Sequence, residues 1–334
     1  MAILFLESFD DSLWSERLSG SGRVVDAAYG LHGNGLRLGD TYSAYTYVPC
    51  DPVSGTAIMG MAIKINSSGS GDRELIELGA GGTEIFYDST NKRLHSKIQI
   101  SSVAYTEDWT PVNSVYTDRW HFIEFKWYHN TSSAGTFQMG VDGTYTTQQT
   151  SIDYFQGFSN VRVGWVTVAD VASFYVDDLY VADTTGGVND DFLGPIAVTA
   201  KFPNGNGNSS VLVGQDADST DNYLNVDEDP PDDGTTYNES GTEGDKDTYA
   251  MEDITGSPTV VGVVSTLYAR RTQTGAKYAR TVARVNSTDY VGATKALGEG
   301  YSPVENVFDQ NPDTSTAWTQ TTFNGAEFGP EVRD

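Results

Sequence analysis

The sequence predicts an all-β protein in which a two-sheet sandwich is followed by a smaller β domain. Long helical patterns are nearly absent from the 334 residues, whereas apolar and polar residues alternate in many short runs. Turn residues separate these runs, and the chain contains 35 glycines and 11 prolines. Short alternating runs separated by turn residues are typical of β-sandwiches.

The strand pattern is densest in the first half of the chain. The clearest strand covers residues 120–128, where alternation places Ile123, Phe125 and Trp127 on one face. Asp142-Gly143 predicts a tight hairpin turn. Further strands of this half are predicted at residues 57–65, 161–168 and 174–181.

A change of pattern predicts the domain boundary. Residues 182–190 have no periodicity and include two adjacent glycines. We therefore expect an N-terminal sandwich over residues 1–186 and a smaller β domain over residues 191–334. In the second domain, a β segment is expected at residues 192–202, and a hairpin is expected to join residues 260–269 to residues 276–285.

The charge is strongly negative, with 46 acidic and 20 basic residues and a net charge of −26. Phosphate backbones and anionic membranes require clustered Lys and Arg, so we expect neither nucleic-acid binding nor docking on an anionic membrane. The charge is also uneven. Residues 216–253 contain 14 acids and one lysine, a net −13, whereas residues 265–295 contain six basic residues and one acid, a net +5.

The residue types that build several kinds of reactive site are scarce. Cys50 is the only cysteine, which excludes an internal disulfide and a cysteine-based zinc site. No HExxH spacing, serine elbow or phosphate-binding loop occurs in the sequence. The opening residues lack the basic region of a signal peptide, and no apolar run is long enough to span a membrane. We therefore expect a protein that is made in the cytoplasm and is not secreted.

Several segments resemble a group of tailed-bacteriophage virion proteins that begin with a concanavalin A-like, laminin-G-like jelly-roll domain. The segments that carry the resemblance in the first half are residues 3–10 (ILFLESFD), 120–126 (WHFIEFK), 140–143 (GVDG) and 174–181 (FYVDDLYV). Those of the second half are residues 191–194 (DFLG), 203–206 (PNGN), 223–228 (YLNVDE), 244–249 (GDKDTY) and 318–329. The resemblance implies a sandwich whose last strand returns beside its first, and a location in the virion. It implies no enzymatic activity.

A glycan-degrading enzyme is a weaker alternative. Glucanases with this fold carry acids as E-x-D-x-x-E on one strand face, where one acid attacks and another protonates. Glu74 and Glu77 lack the middle acid, and at a spacing of three they should face opposite sides of a regular strand. The adjacent acids Asp177 and Asp178 should diverge in the same way.

Two binding sites are kept as candidates. Asp216, Asp218 and Asp221 offer hard oxygen ligands for calcium, although their spacing departs from that of a calcium-binding loop, and a solvated acidic loop is the simpler interpretation. Trp109, with Glu107 and Asp108, is expected between strands, where an aromatic ring can stack on a sugar and the acids can accept hydrogen bonds from its hydroxyl groups. A tryptophan that caps the sandwich core is the simpler interpretation of Trp109. No other cofactor is indicated.

We therefore predict a virion structural protein, most simply a tail-fibre or tail-tip component that attaches to host glycans. A capsid decoration or spike protein is the alternative. Its partners would be other virion proteins and further copies of this chain, with a trimer favoured by the family. We expect the oligomer interface to include a basic group that faces the acidic stretch of a neighbouring copy, consisting of Arg270, Arg271, Arg280 and Arg284.

Overall fold

The computed structural model describes residues 3–38, 44–51, 55–66, 72–79, 82–155, 161–164, 173–275 and 277–334. The described chain forms two compact units. The sandwich unit consists of residues up to 10 and residues 18–199, and the C-terminal unit consists of residues 11–17 and 200–334.

The sandwich unit is almost entirely β. Its strands, in chain order, are β1 Ile3–Glu7, β2 Ser19–Ser21, β3 Arg23–Asp26, β4 Gly35–Leu38, β5 Tyr45–Val48, β6 Thr56–Ile65, β7 Asp72–Leu78, β8 Thr83–Asp88, β9 Arg93–Ser101, β10 Ala104–Trp109, β11 Trp120–Tyr128, β12 Gly135–Val141, β13 Thr144–Tyr145, β14 Gln149–Ile152, β15 Val161–Gly164 and β16 Phe174–Asp183. A 3₁₀ turn covers Ala27–Tyr29. The predicted strand at residues 161–168 is observed as far as Gly164, and residues 165–168 lie outside the described residues.

These strands form the two sheets of the predicted sandwich. The nine-stranded sheet has the order β13-β12-β11-β6-β16-β4-β3, with β1 beside β16 and β14 beside β12. The pairing of β1 with β16 brings the last strand back beside the first, as the resemblance implied. Asp142 and Gly143 have positive φ angles of 49° and 76° between β12 and β13, which confirms the tight turn.

The seven-stranded sheet has the order β10-β9-β8-β7-β15-β5-β2. A register shift interrupts its β7–β8 pair: Glu74 pairs with Phe86, Ile76 with Ile85 and Glu77 with Glu84. One extra residue on β7 therefore opposes β8, which is a β-bulge. Leu75 and Ile76 on either side of the shift are both fully buried.

Residues 191–198, here called the strap, lie on the outer face of the nine-stranded sheet. Phe192, Leu193 and Ile196 pack against a buried cluster that includes Phe122 and Tyr180. Two buried carboxyl groups bind the strap backbone: Glu124 accepts a hydrogen bond from the Gly194 N–H at 2.8 Å, and Asp178 accepts one from the Val198 N–H at 2.7 Å. All ten residues of β16 are buried, and the strap packs on the cluster that contains two of them, Tyr180 and Ala182.

The strap corrects the prediction of a β segment at residues 192–202. This stretch forms no strand, and the next strand begins at Pro203. The apolar side chains that suggested a strand pack flat on the sheet, and side-chain carboxyl groups bind backbone N–H groups that a neighbouring strand would otherwise bind.

The C-terminal unit contains shorter strands and two short helices. Its strands are β17 Pro203–Ser210, β18 Val213–Gly214, β19 Asn238–Glu239, β20 Asp247–Met251, β21 Thr259–Val260, β22 Val263–Ala269, β23 Tyr278–Val285, β24 Thr288–Val291, β25 Lys295–Ala296, β26 Ser302–Phe308, β27 Trp318–Thr319 and β28 Glu327–Arg333. The helices are α1 Trp14–Arg17 and α2 Gln320–Asn324, with a 3₁₀ turn at Asn222–Asn225. None of the helices in the described part of the chain has the length and apolar character that crossing a membrane requires.

The main sheet of this unit has the order β17-β20-β28-β23-β24, and β25 also pairs with β23. The predicted hairpin is wrong, because β22 pairs with β26 and not with β23. Both edges of β23 are occupied, one by β28 and the other by β24 and β25, so no edge remains for β22. Around this sheet a separate apolar core forms, with the buried residues Ala283, Val285, Phe308, Trp318, Phe323, Ala326 and Phe328.

The observed boundary between the two units lies further along the chain than the predicted one. The sandwich unit extends to Thr199, beyond the boundary expected at residues 186–191, because the strap packs on this unit. That the sandwich folds independently stays a prediction. We expect a fragment of residues 1–199 to unfold cooperatively and at a higher temperature than a fragment of residues 1–186, since the shorter one leaves Glu124 and Asp178 without their backbone donors. Circular dichroism melts compare the two, and equal melting temperatures would show that the strap adds no stability.

Candidate functional site

The outer face of the seven-stranded sheet displays two parallel rows of functional side chains. Residues opposite each other in neighbouring antiparallel strands lie on the same face, so the register defines these rows. The first, here called the aromatic row, runs from β10 to β7 and consists of Trp109, His95, Phe86 and Glu74. The second, here called the charged row, runs from β10 to β15 and consists of Glu107, Lys97, Glu84, Glu77 and Arg162.

Rings and cations stack along the aromatic row. The Phe86 and His95 ring centroids lie 5.0 Å apart, and the His95 and Trp109 rings lie 4.2 Å apart with planes only 8° from parallel. The Arg93 guanidinium lies 4.0 Å from the Trp109 centroid, and the Lys97 ammonium lies 4.6 Å from the Phe86 centroid. Such contacts fix the orientation of each ring.

The predicted glycan-binding residues are only partly brought together. Trp109 is the last residue of β10 rather than a loop residue, and its ring is half-buried between His95 and Arg93. Glu107 lies on the same face in the neighbouring row, as alternation requires. Asp108 faces the opposite side, where it accepts a 2.6 Å hydrogen bond from the Thr146 hydroxyl group.

The bulge in β7 corrects the prediction for Glu74 and Glu77. A regular strand would place these residues on opposite faces, but here they oppose Phe86 and Glu84, which are two residues apart on β8 and so share one face. Glu77 forms an ion pair with Arg162. Glu74 accepts no hydrogen bond and forms no ion pair with any residue that the structure describes, although it is only 7% exposed.

Burial, and then the crowding of carboxyl groups, makes two of these acids weaker. Burial is the main cause that raises the pKa of Glu74 to about 7; the neighbouring Glu84 and Glu77 charges raise it further, and Arg162 opposes them. Burial also raises the pKa of Glu84. Near neutral pH, Glu74 is therefore able either to donate or to accept a proton.

His95 is a second buried polar group of the aromatic row. It is 1% exposed, and neither ring nitrogen makes a hydrogen bond with the described residues. Nε2 does lie 3.2 Å from an Asp72 carboxylate oxygen, a distance typical of an ion pair but with unfavourable hydrogen-bond geometry. Burial lowers the pKa of His95, so the ring is mainly neutral at pH 7.

Asp177 and Asp178 also depart from the expected alternation. A register shift lies between Asp177 and Tyr180, and Asp178 has a φ angle of 52°. Both carboxyl groups consequently bind the segment around His32: Asp177 accepts its backbone N–H at 2.9 Å, and Asp178 contacts its Nδ1 at 2.7 Å. These two buried acids bind the segment around His32, and Asp178 also binds the strap.

The predicted calcium ligands mainly organise their own loop. Asp218 accepts a 2.7 Å hydrogen bond from the Thr220 N–H, and Asp216 accepts a longer one of 3.4 Å from the Asp218 N–H. Asp221 makes no side-chain capping bond to the 3₁₀ turn that follows. Within the described ranges, no three Asp, Glu, His or Cys side chains form a group that could hold a metal ion.

The four predicted interface arginines are engaged within the chain. Their contacts are Arg270 with the Tyr301 ring at 4.7 Å, Arg271 with Glu299 at 3.0 Å, Arg280 with Glu331 at 2.8 Å and Arg284 with Asp289 at 2.6 Å. None of the three acids belongs to the acidic stretch at residues 216–253. Pairing between copies would have to compete with these contacts, and the trimer stays a prediction.

Comparisons with known proteins add little at the level of sequence. No protein-family model matches the chain, and no curated protein matches it. Among solved structures, a botulinum neurotoxin serotype D ligand-binding domain in complex with N-acetylneuraminic acid aligns with 12% identity and a TM-score of 0.39, covering 49% of this chain and 42% of that chain.

Two further structures align with the chain. An endo-β-1,4-glucuronan lyase from the fungus Trichoderma reesei aligns with 12% identity and a TM-score of 0.35, covering 53% of this chain and 90% of that chain. A carbohydrate esterase from the Shiga toxin-encoding bacteriophage phi24B aligns with 15% identity and a TM-score of 0.38, covering 53% of this chain and 99% of that chain.

Proposed function

We propose that this chain is a structural protein of a bacteriophage virion whose sandwich unit binds a glycan along the outer face of the seven-stranded sheet. The observation that carries the binding proposal is the pair of rows on that face. Charged groups bind sugar hydroxyl groups, and the exposed parts of the half-buried rings beside them offer apolar contact, which is the combination that carbohydrate sites need. The virion assignment rests on the sequence resemblance.

The contrast between the two sheets supports this choice of face. The chain's own strap packs on the nine-stranded sheet, over Phe122 and Tyr180. On the seven-stranded sheet, the charged row continues from Arg162 to Tyr47, which lies opposite it on β5. Strands lie about 4.8 Å apart, so a row that crosses six strands from β10 to β5 spans roughly 24 Å. A row of this length suits an extended chain better than a single sugar.

We expect Trp109→Ala to abolish glycan binding by the full-length protein, because it removes the end of the aromatic row and releases Arg93 and His95 from their stacking contacts. A glycan array read with the wild-type and variant proteins measures the effect. Trp120→Ala is the matched control, since Trp120 is also half-buried but packs on the strap side of the sandwich. Array signal that survives Trp109→Ala, or that Trp120→Ala removes equally in a folded protein, would contradict the choice of face.

A glycan-degrading enzyme is the second candidate, and the bulge favours it. Glu74 and Glu77 share one face, and a carboxyl group with a pKa of about 7 is suited to act as a general acid. The measurement is the release of reducing ends from glycans that bind on the array. Release that Glu74→Gln abolishes would replace the binding proposal by an enzymatic one, and intact glycans after prolonged incubation would leave binding alone.

The virion assignment has its own test. An antibody raised against the full-length chain should label intact particles of the phage that encodes it in negative-stain electron micrographs. Labelling of the tail would identify a tail component and labelling of the head a capsid decoration. The absence of the chain from the mass spectrum of purified particles would overturn the assignment.

A further inference from the structure

Glu74 is a carboxyl group of the aromatic row that makes no hydrogen bond and no ion pair with the described residues. In the charged row, Lys97 lies between Glu107 and Glu84, and Arg162 pairs with Glu77. Glu74 ends the aromatic row beside these residues and has no such partner, although its side chain is more than nine-tenths buried. Because no donor or cation of the described residues binds this carboxyl group, a ligand that supplies one is favoured there.

His95 independently indicates that this row lacks a polar partner. It is separated from Glu74 by Phe86 alone, and its two ring nitrogens also lack hydrogen bonds within the described structure. Buried polar atoms are hydrogen-bonded in the great majority of cases, so the two ring nitrogens of His95 are an unusual feature of this row. The Asp72 carboxylate, 3.2 Å from Nε2, is the polar group beside them.

The charges near Glu74 restrict which donor fits. Two further carboxyl groups, Glu77 and Glu84, raise the pKa of Glu74, and the cation that opposes them, Arg162, is already paired with Glu77. A ligand carboxylate or sulfate would meet repulsion from this group. A neutral hydroxyl group would donate a hydrogen bond to the carboxylate but would leave the excess negative charge. An ammonium group would donate hydrogen bonds and also neutralise that charge.

We propose that Glu74 is a subsite for the protonated amine of an amino sugar, so that the glycan bound on this face contains sugars with an unsubstituted amino group. The inference rests on the proposed function and specifies its ligand. Phe86 lies opposite Glu74, so a sugar held there would also contact the part of its ring that remains exposed, while Glu74 accepts hydrogen bonds from the ammonium group.

The test compares two short oligosaccharides that differ only in acetylation, glucosamine trimer and N-acetylglucosamine trimer, with galacturonic acid trimer as the anionic probe. Calorimetry on the full-length protein at about 0.15 M salt, where the screening length is about 8 Å, limits non-specific attraction to the acidic chain. We expect the glucosamine trimer to bind at least about tenfold more tightly than its acetylated counterpart. Tighter binding of the acetylated or the anionic trimer would overturn the subsite and leave the proposed function in place.

Glu74→Gln should abolish the preference for the free amine while keeping the melting temperature. The matched control is Glu239→Gln, which removes the same charge from an exposed position in the C-terminal unit. A preference that survives Glu74→Gln, or that Glu239→Gln also abolishes, would show that the net charge of −26 and not the subsite selects the amine. If none of these oligosaccharides bound in calorimetry and no glycan bound on the array, the proposed function itself would be overturned.

The pH dependence gives a readout that a structural role of Glu74 would not produce. Amine binding requires the ionised carboxylate of Glu74, whose pKa is raised to about 7, and also the protonated amine of the sugar, which itself titrates near neutral pH. The affinity for the glucosamine trimer should therefore pass through a maximum near neutral pH, and Glu74→Gln should remove the decline on its acid side. An equally steep pH dependence in the variant would assign the titration to another group and overturn the subsite.

Discussion

Replacing Trp127 by alanine is expected to lower the free energy of unfolding by about 3–5 kcal/mol, the usual cost of removing a large aromatic side chain from a core. Trp127 is 3% exposed on β11, where it lies opposite Phe137 on β12 and Ala57 on β6. Its neighbours cannot close the space left by an indole ring, so the loss combines the transfer term with a cavity term.

Urea denaturation of the full-length protein measures this loss. Trp127→Phe is the graded control: it keeps an aromatic ring in the core, so its cost should be clearly smaller than that of alanine. A loss below about 1 kcal/mol for Trp127→Ala would mean that the indole ring is not part of the packed core.

Replacing Glu124 by alanine is expected to cost about 2–4 kcal/mol, since it leaves several buried donors without an acceptor. Glu124 is 1% exposed and accepts hydrogen bonds from the Tyr180 and Tyr145 hydroxyl groups, both at 2.6 Å, in addition to the Gly194 N–H. The strap should detach more readily in this variant, because one of its two backbone anchors is lost.

Denaturant unfolding measures the stability of the Glu124 variant. The rate of limited proteolysis between residues 191 and 198 measures how readily the strap detaches. Tyr145→Phe is the matched control: it removes a single donor and should cost only about 1 kcal/mol. Unchanged proteolysis in Glu124→Ala would show that apolar packing alone holds the strap.

Alternation predicted the strand faces correctly wherever a strand is regular. In β11, Ile123, Phe125 and Trp127 are all buried on the core side, as the sequence indicated. The period of two depends on an unbroken ladder, however, and an extra residue shifts every following side chain to the other face. Glu74 and Glu77 were misplaced for this reason, because no residue in that segment signals the bulge.

The apolar stretch at residues 192–202 shows a second limit. Phe192, Leu193 and Ile196 have the composition of a buried strand, but composition alone does not distinguish side chains that pack within a sheet from side chains that pack on top of one. Whether the segment becomes a strand depends on which groups accept hydrogen bonds from its backbone N–H groups. Here the acceptors are Glu124 and Asp178, which come from distant parts of the chain. A local pattern carries no signal for such contacts.

The candidate site was predictable only at one end. Trp109 and Glu107 stood out as an aromatic residue and an acid in one short segment, whereas Phe86, His95 and Glu74 come from three other strands. Their alignment depends on the register of β7, β8 and β9. Once that register is known, the cross-strand pairing identifies both rows directly.

The strap also determines how the sandwich unit responds to a pull on the chain beyond Thr199. Tension applied there reaches the Val198–Asp178 bond first and the Gly194–Glu124 bond next, so the anchors are loaded one after another rather than together. Peeling the eight residues of the strap would release a tether with a contour length of about 27 Å before the load reaches β16. Since β16 is hydrogen-bonded to β1, β4 and β6, many bonds there would have to yield at once. Under such a load we therefore expect the strap to detach at a lower force than the strands of the sheet beneath it.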